Sequence, residues 1–223
     1  MNLWNADTYE KVASPQAAWA EEIIARSGIK PGDVVLDAGC GGGGVTQKLL
    51  ELTPNVIAVD ADANMVERAR ATLPGSVPVY HQSLTELEIE ERVDVVFSCA
   101  VFHWITDHER LFERLHAVLV PGGRLVAQCG GKGNIQNVLD IAGERPGRWL
   151  YAAPEETEQR LHAAGFANAR AWLQPKPTVP ADMVTFLETV ILHEDDNARA
   201  NAERVAAQID QIDYVRLNME ATA

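Results

Sequence analysis

Basic residues are scarce in this chain, and so are cysteines, aromatics and long apolar runs. Its 19 Lys and Arg stand against 32 Asp and Glu, a formal net charge of −13. A surface of that sign repels phosphate backbones and anionic headgroups, so neither nucleic acid nor a membrane is expected as a partner. The three cysteines, Cys40, Cys99 and Cys129, show no paired zinc spacing, and an odd number makes a poor disulfide framework. A reducing, cytoplasmic setting without a metal site fits that scarcity. The longest apolar stretch, Val95 to Ile105, is too short to span a bilayer and carries His103. The amino-terminal region holds Glu10, Lys11, Glu21, Glu22 and Arg26 in place of an apolar core, so no secretory leader is expected. What is plentiful is apolar side chain, 47% of 223 residues, enough for the core of one compact domain. Nothing in the sequence sets an oligomeric state.

One run organises the rest: Val34-Val35-Leu36-Asp37-Ala38-Gly39-Cys40-Gly41-Gly42-Gly43-Gly44. A short apolar segment reads as a buried strand, ends in an acid and runs into glycines, after which a helical pattern begins. Glycine removes the Cβ, so the main chain can turn sharply and a ligand can lie against it. The following helix aims its first amide groups at the same place. Gly39-x-Gly41-x-x-Gly44 also matches the dinucleotide fingerprint. Asp37 separates the options. A carboxylate there opposes a diphosphate and attracts an ammonium group, which favours S-adenosylmethionine over a dinucleotide.

Further along, strands are predicted at 33–38, 56–60, 77–81, 93–99 and 124–129, with helices at 44–52, 63–73 and 107–119 between them. Asn64 and Glu67 have capping-box spacing. Pro78 marks the third strand as an edge. Asp60 ends the second strand about 20 residues beyond the glycine loop, where a βαβ unit places its ribose-binding acid. Five β–α alternations give a parallel sheet with helices on both faces, and ligands collect at the carboxyl edge of such a sheet. Asp37, Asp60, Ser83, Cys99, His103 and Gly130 all fall at or just after that edge. A helix from Pro154 to about Gly165, a strand at 170–173, helical stretches at 181–192 and 196–210, and an alternating strand at 212–219 complete the chain. The alternation predicts one exposed face for that last strand.

These residues resemble a known family. Asp37-Ala-Gly39-Cys-Gly41 resembles the glycine motif of class I S-adenosylmethionine-dependent methyltransferases, and Val59-Asp60-Ala61 its ribose motif. Leu115 to Gly123 is similar to the family's run from the fourth helix into strand five. Phe97-Ser-Cys-Ala-Val-Phe-His103-Trp104 and Trp4-Asn-Ala-Asp-Thr-Tyr9 resemble the small-molecule members, the trans-aconitate and juvenile hormone acid methyltransferase-like groups. The resemblance implies an α/β, Rossmann-like doubly wound fold. Its sheet has seven strands, mostly parallel with one antiparallel, and a helical insert covers the acceptor. The chain then divides into an amino-terminal cap (1–29), a cofactor-binding core (30–174), a helical acceptor cap (175–211) and the last strand (212–219). It also implies that Asp37, Gly39 and Gly41 hold the methionine part of S-adenosyl-L-methionine, and Asp60 with Ala61 the ribose. Met65, Ser83 and Leu84 would meet the adenine, and Cys99 would line the cofactor from the end of strand four. S-adenosyl-L-homocysteine would be the product.

A sulfonium carries its own activation, so the protein's task is alignment of the attacking atom. Tyr9, Phe102 and Trp104 are candidates for an aromatic wall around the cation. His103 is the candidate general base, or else it positions the acceptor; a carboxylate acceptor needs no base. Phe102, Trp104, Gly131 and His193 are expected around the acceptor, a small molecule methylated most simply on oxygen, as a carboxylate or hydroxyl. Two alternatives remain at this point. A nicotinamide-dependent reductase of the short-chain type would want Tyr-x-x-x-Lys, and the residues four beyond Tyr9, Tyr80, Tyr151 and Tyr214 are Ala13, Leu84, Glu155 and Asn218. The fold also admits a non-catalytic protein that binds the cofactor or a partner, though the intact Asp37, glycine loop and Asp60 argue against loss of the cofactor.

Overall fold

The computed structural model describes residues 14–143, 147–193 and 195–223, with side chains from residue 19 onward. Helix α1 (Ser14–Ser27) precedes β1 (Val35–Ala38), α2 (Gly44–Leu50), β2 (Val56–Asp60), α3 (Ala63–Thr72) and β3 (Val79–His81). Then come β4 (Val93–Cys99), α4 (His108–Val118), β5 (Leu119–Gly130), α5 (Gln136–Ala142), α6 (Pro154–Ala163) and β6 (Ala167–Pro175). A short α7 (Met183–Phe186) continues into a π-helical turn at Leu187–Ile191, and α8 (Ala198–Ala206) and β7 (Val215–Thr222) follow.

The strands form one seven-stranded sheet in the order β3-β2-β1-β4-β5-β7-β6. Strands β1 to β5 pair in parallel, and β7 inserts antiparallel between β5 and β6. Both faces are apolar, as a parallel sheet with helices on each side requires. Val35, Val56, Val95, Phe97 and Val126 pack with Ile23 of α1 and Leu49 of α2. The alternate residues, Leu36, Ile57, Val96 and Leu125, pack with Leu111 and Leu115 of α4 and Leu161 of α6. Each fully buried Leu, Ile or Phe contributes about 1.5–3 kcal/mol relative to exposure, which is what holds the strand ends in register.

Several local expectations change. Helix α3 is capped by Asp62, whose side chain accepts from the amides of Asn64 and Met65, and not by an Asn64–Glu67 box. Strand β5 already pairs with β4 at Leu119, ahead of Pro121-Gly122-Gly123, because an irregularity after Val93 absorbs the turn. The last strand lies at 215–222 and is not exposed on one face: Arg216, Leu217, Asn218 and Met219 are all buried. An interior strand has neighbours on both edges and helices on both faces, so its alternating polar residues face a covered sheet surface. Pro78 does precede an edge strand, β3. Among the described residues no helix is long and apolar enough to cross a membrane.

Candidate functional site

The loop between β1 and α2 is pinned to the end of β2. The amides of Gly39 and Cys40 both donate to the carbonyl of Val59, at 2.8 and 2.9 Å. Gly39 has φ +90°, and a Cβ there would lie 2.3 Å from Val101 Cγ2, so only glycine fits. Gly41, at φ +54°, differs: a Cβ there would meet nothing within 4 Å. Its main chain faces open space, the condition for a ligand to approach the backbone. The Gly41 amide donates to Asp60 Oδ2 at 2.8 Å, and the Asp62 amide to Asp60 Oδ1 at 2.9 Å. One carboxylate thereby ties the glycine loop to the turn after β2.

Asp37 sits beneath this loop, 1% exposed, accepting from Thr46 Oγ1 at 2.7 Å. Burial pushes its carboxyl up to about 7; the Thr46 bond opposes that shift and the charge of Asp60 adds to it. Burial likewise raises Asp60, against the amide bonds from Asp62 and Gly41. Two neighbouring acids, Asp37 buried and Asp60 partly so, repel a diphosphate and suit an ammonium group and a ribose diol. The residues present thus fit S-adenosylmethionine. Of the adenine candidates, Met65 is buried at the start of α3, and Ala61 is exposed with its carbonyl accepting from His81 Nε2 at 3.0 Å. Leu84 belongs to the main core, and the Ser83 hydroxyl caps the turn Leu84–Glu86 by accepting from the Thr85 amide at 3.3 Å. Tyr9 lies outside the described residues.

A second group gathers at the ends of β4, β5 and β7. His103 follows β4 on a single turn, Phe102–Trp104, and is 8% exposed. Its Nδ1 accepts from the Gly130 amide at 3.2 Å. A ring nitrogen that accepts carries no proton, so the ring is neutral with its hydrogen on Nε2. Burial, with help from the nearby Arg216 charge, holds His103 well below its ordinary range. The ring stacks on Tyr151, with centroids 5.9 Å apart, and lies 5.2 Å from Trp104. Trp104, 36% exposed, also meets Trp149 and His193, at 5.7 and 6.4 Å. Arg148 lies over the Trp149 ring at 4.5 Å.

Two acceptor candidates are misplaced. Phe102 is fully buried in the main core against Phe112, ring centroids 6.2 Å apart, because one tight turn sends 102 and 104 in opposite directions. Gly131 is packed under β7: a Cβ there would be 2.6 Å from Leu173 Cδ2 and 2.7 Å from Leu217 Cβ. It is glycine because two strands press on it. Lys132 is exposed. Cys99 is only partly buried, yet desolvation pushes its thiol up to about 11 and that of Cys129 up to about 12, so both stay protonated. Among the described residues no cluster of His, Cys, Asp and Glu could hold a metal ion.

The sequence reading missed Arg216, Gln128, Tyr151 and Trp149. Arg216 is 2% exposed, its Nε donates to Gln128 Oε1 at 3.4 Å and its guanidinium lies 4.6 Å from the Trp19 ring. Its Nη2 is buried, with no hydrogen-bond partner among the described residues. A signal existed: a strand that must insert between two others buries both faces, so an arginine within it is a buried charge.

Residues 36–127 match the family described as "Methyltransferase domain". The chain is 31% identical over 177 residues to a trans-aconitate 2-methyltransferase of Methylobacterium nodulans, covering 76% of this chain and 67% of that protein. To the enzyme of the same name from Rhizobium etli it is 35% identical over 127 residues, 56% of this chain and 49% of the other, so that match spans about half of the relative. Among solved structures, the YcgJ protein of Bacillus subtilis superposes with a TM-score of 0.70 at 17% identity, over 92% of this chain and 98% of that one, a likeness of fold alone.

Proposed function

The chain belongs to the class I S-adenosylmethionine-dependent methyltransferases, and from that premise we propose that it methylates a carboxylate oxygen of a small-molecule acceptor. When bound, S-adenosylmethionine supplies an activated methyl group on a sulfonium centre. Asp37 and the loop of Gly39 and Gly41 would hold its methionine part, and Asp60 its ribose. The remaining work falls to the chain's own groups at the ends of β4, β5 and β7.

The observation that carries the carboxylate reading is the bond from the Gly130 amide to His103 Nδ1. A general base needs a free lone pair and a pKa near the working pH. The accepting nitrogen of His103 is already occupied, and its basicity is lowered by burial. What the ring offers is an Nε2–H donor. A donor suits an acceptor oxygen that arrives already deprotonated, and a carboxylate does at neutral pH. His103 then orients the acceptor, and no proton has to be removed. The trans-aconitate 2-methyltransferase relatives support the same reading, since their name describes methylation of a carboxylic acid.

Trp104 and Tyr151 stand beside His103, and His193 meets Trp104 in turn, so these rings supply aromatic surface at this end of the sheet. The helices of 175–211 act as the acceptor cap: Phe186, Leu187, Val190 and Ile191 pack with Trp19 and Tyr214 in one apolar cluster over this end of the sheet. Closing the site with apolar side chains keeps water from the reacting pair and strengthens each polar contact inside.

The test is a methyl-transfer assay with labelled S-adenosylmethionine over small carboxylic acids, phenols and amines. Label is expected in an alkali-labile methyl ester formed from an acid. Label found only in alkali-stable ethers or methylamines would overturn the carboxylate reading.

A further inference from the structure

Arg216 is a cation in the wrong place for a purely structural residue. It is 2% exposed, and among the described residues no carboxylate forms an ion pair with it. Its described neighbours are neutral: the Gln128 amide oxygen, the Trp19 ring and the Gly130 backbone opposite it in the ladder. Taking a guanidinium out of water without an anion is costly, and proteins seldom bury one except to meet a negative group. Its Nη2 is buried and has no hydrogen-bond partner among the described residues, so its donor capacity is unused there.

Place decides which anion. Strand β7 antiparallels β5, so the beginning of β7 lies at the carboxyl edge of the sheet, where the ligand residues are. The cofactor acids are on β1 and β2, and the sheet order puts β4 and β5 between them and β7. At about 4.8 Å per strand, β7 is roughly 14 Å from β1, and Arg216 pairs in the ladder with Gly130, whose amide donates to His103. A carboxylate there belongs to the acceptor. It is also not the oxygen that reacts: pairing with a guanidinium draws away the negative charge a nucleophile needs. The donor beside the reacting position is His103 Nε2–H.

We propose that Arg216, on its neutral seat of Gln128 and Trp19, anchors a second carboxylate of the acceptor, so the enzyme selects diacids over monoacids. This rests on the carboxylate reading above. His103 faces the carboxylate that receives the methyl group, and Arg216 fixes the other end. A monoacid makes the first contact only and leaves the buried cation unpaired.

The test uses the full chain with succinate, glutarate, adipate and trans-aconitate as probes, beside the matched monoacids butyrate, valerate and hexanoate. Calorimetry on the protein saturated with S-adenosylhomocysteine measures binding without turnover, and methyl transfer gives KM and kcat. At least one diacid is expected to bind the wild type better than its monoacid. Arg216→Met is expected to weaken that diacid about 10- to 100-fold, the size of one lost charged hydrogen bond, and to abolish the preference. Arg216→Lys should restore part of it. Affinity for S-adenosylhomocysteine should stay unchanged, and the melting temperature should hold or rise, because a buried unpaired charge is replaced by an apolar chain of similar volume. A fall in melting temperature with diacid KM unchanged would make Arg216 a strut and overturn the proposal. A loss of S-adenosylhomocysteine affinity would assign the guanidinium to the cofactor's carboxylate and overturn it too. Methylation of monoacids and diacids alike would refute the second anchor while leaving the carboxylate reading intact; no methylation of any acid would refute both.

Discussion

Asp37 has the ordinary chemistry of a carboxyl and an unusual address. Its ordinary value of 3.8 is pushed to about 7 by burial. The folded chain therefore keeps a proton that the unfolded chain releases, and the residue's effect on stability worsens as pH rises from 3.8 towards 7. A bound ammonium group reverses that preference, so cofactor affinity should climb through the same window and level off above it. Calorimetry with S-adenosylhomocysteine is expected to show roughly tenfold tighter binding at about pH 8 than at about pH 6. Asp37→Asn should flatten the dependence and weaken binding at the higher pH. Equal affinity at both pH values in the wild type would detach Asp37 from the cofactor. At this scale the sequence is legible where chemistry is local. Asp37, Gly39, Gly41 and Asp60 declare themselves within two strand ends and one loop. Phe102 and Trp104 do not, since one tight turn decides which faces the core. Arg216 is hidden because its partners, Gln128 and Trp19, are brought to it only by the sheet.

Among the elements, α3 shows how a small cap supports the site. Asp62 accepts from two amides of its first turn and lies two residues from Asp60, whose own carboxylate accepts the Asp62 amide. Asp62→Ala should cost about 1 kcal/mol of stability, read as a lower melting temperature, and loosen the turn that carries Asp60. A variant as stable as the wild type would show that the cap contributes nothing. Strand β7 is the element the sequence describes least well. Its alternation reads as a half-exposed strand, yet non-local pairing with β5 and β6 buries both faces. Polar residues at alternate positions then become an internal network, with Gln128 Nε2 donating to Asn218 Oδ1 at 2.8 Å. Strands β1, β2 and β4 were readable because unbroken apolar runs have only one use in a sheet covered on both sides.

For the molecule as a whole, a net charge of −13 surrounds a site read as taking anions. Long-range repulsion slows the approach of an acidic acceptor, while the buried Arg216 is screened little by salt. Raising ionic strength from low to physiological should therefore increase kcat/KM for an acid acceptor, and a decrease would mean that exposed cations guide it instead. Fold class follows from the repeating β–α pattern, and the family from the glycine loop and the matched length of its relatives. The acceptor end is less legible, being assembled from β4, β5, β7 and the 147–193 segment. Its chemistry turns on whether His103 removes a proton or only donates one. The pH profile of kcat, with cofactor and acid acceptor both saturating, decides this most directly. A profile flat from about pH 6 to 9 is expected, with His103→Ala reducing kcat on the order of 10- to 100-fold and His103→Gln, which keeps a donor, reducing it less. A rising limb near neutrality that disappears in His103→Gln would show a base at work and contradict the carboxylate mechanism.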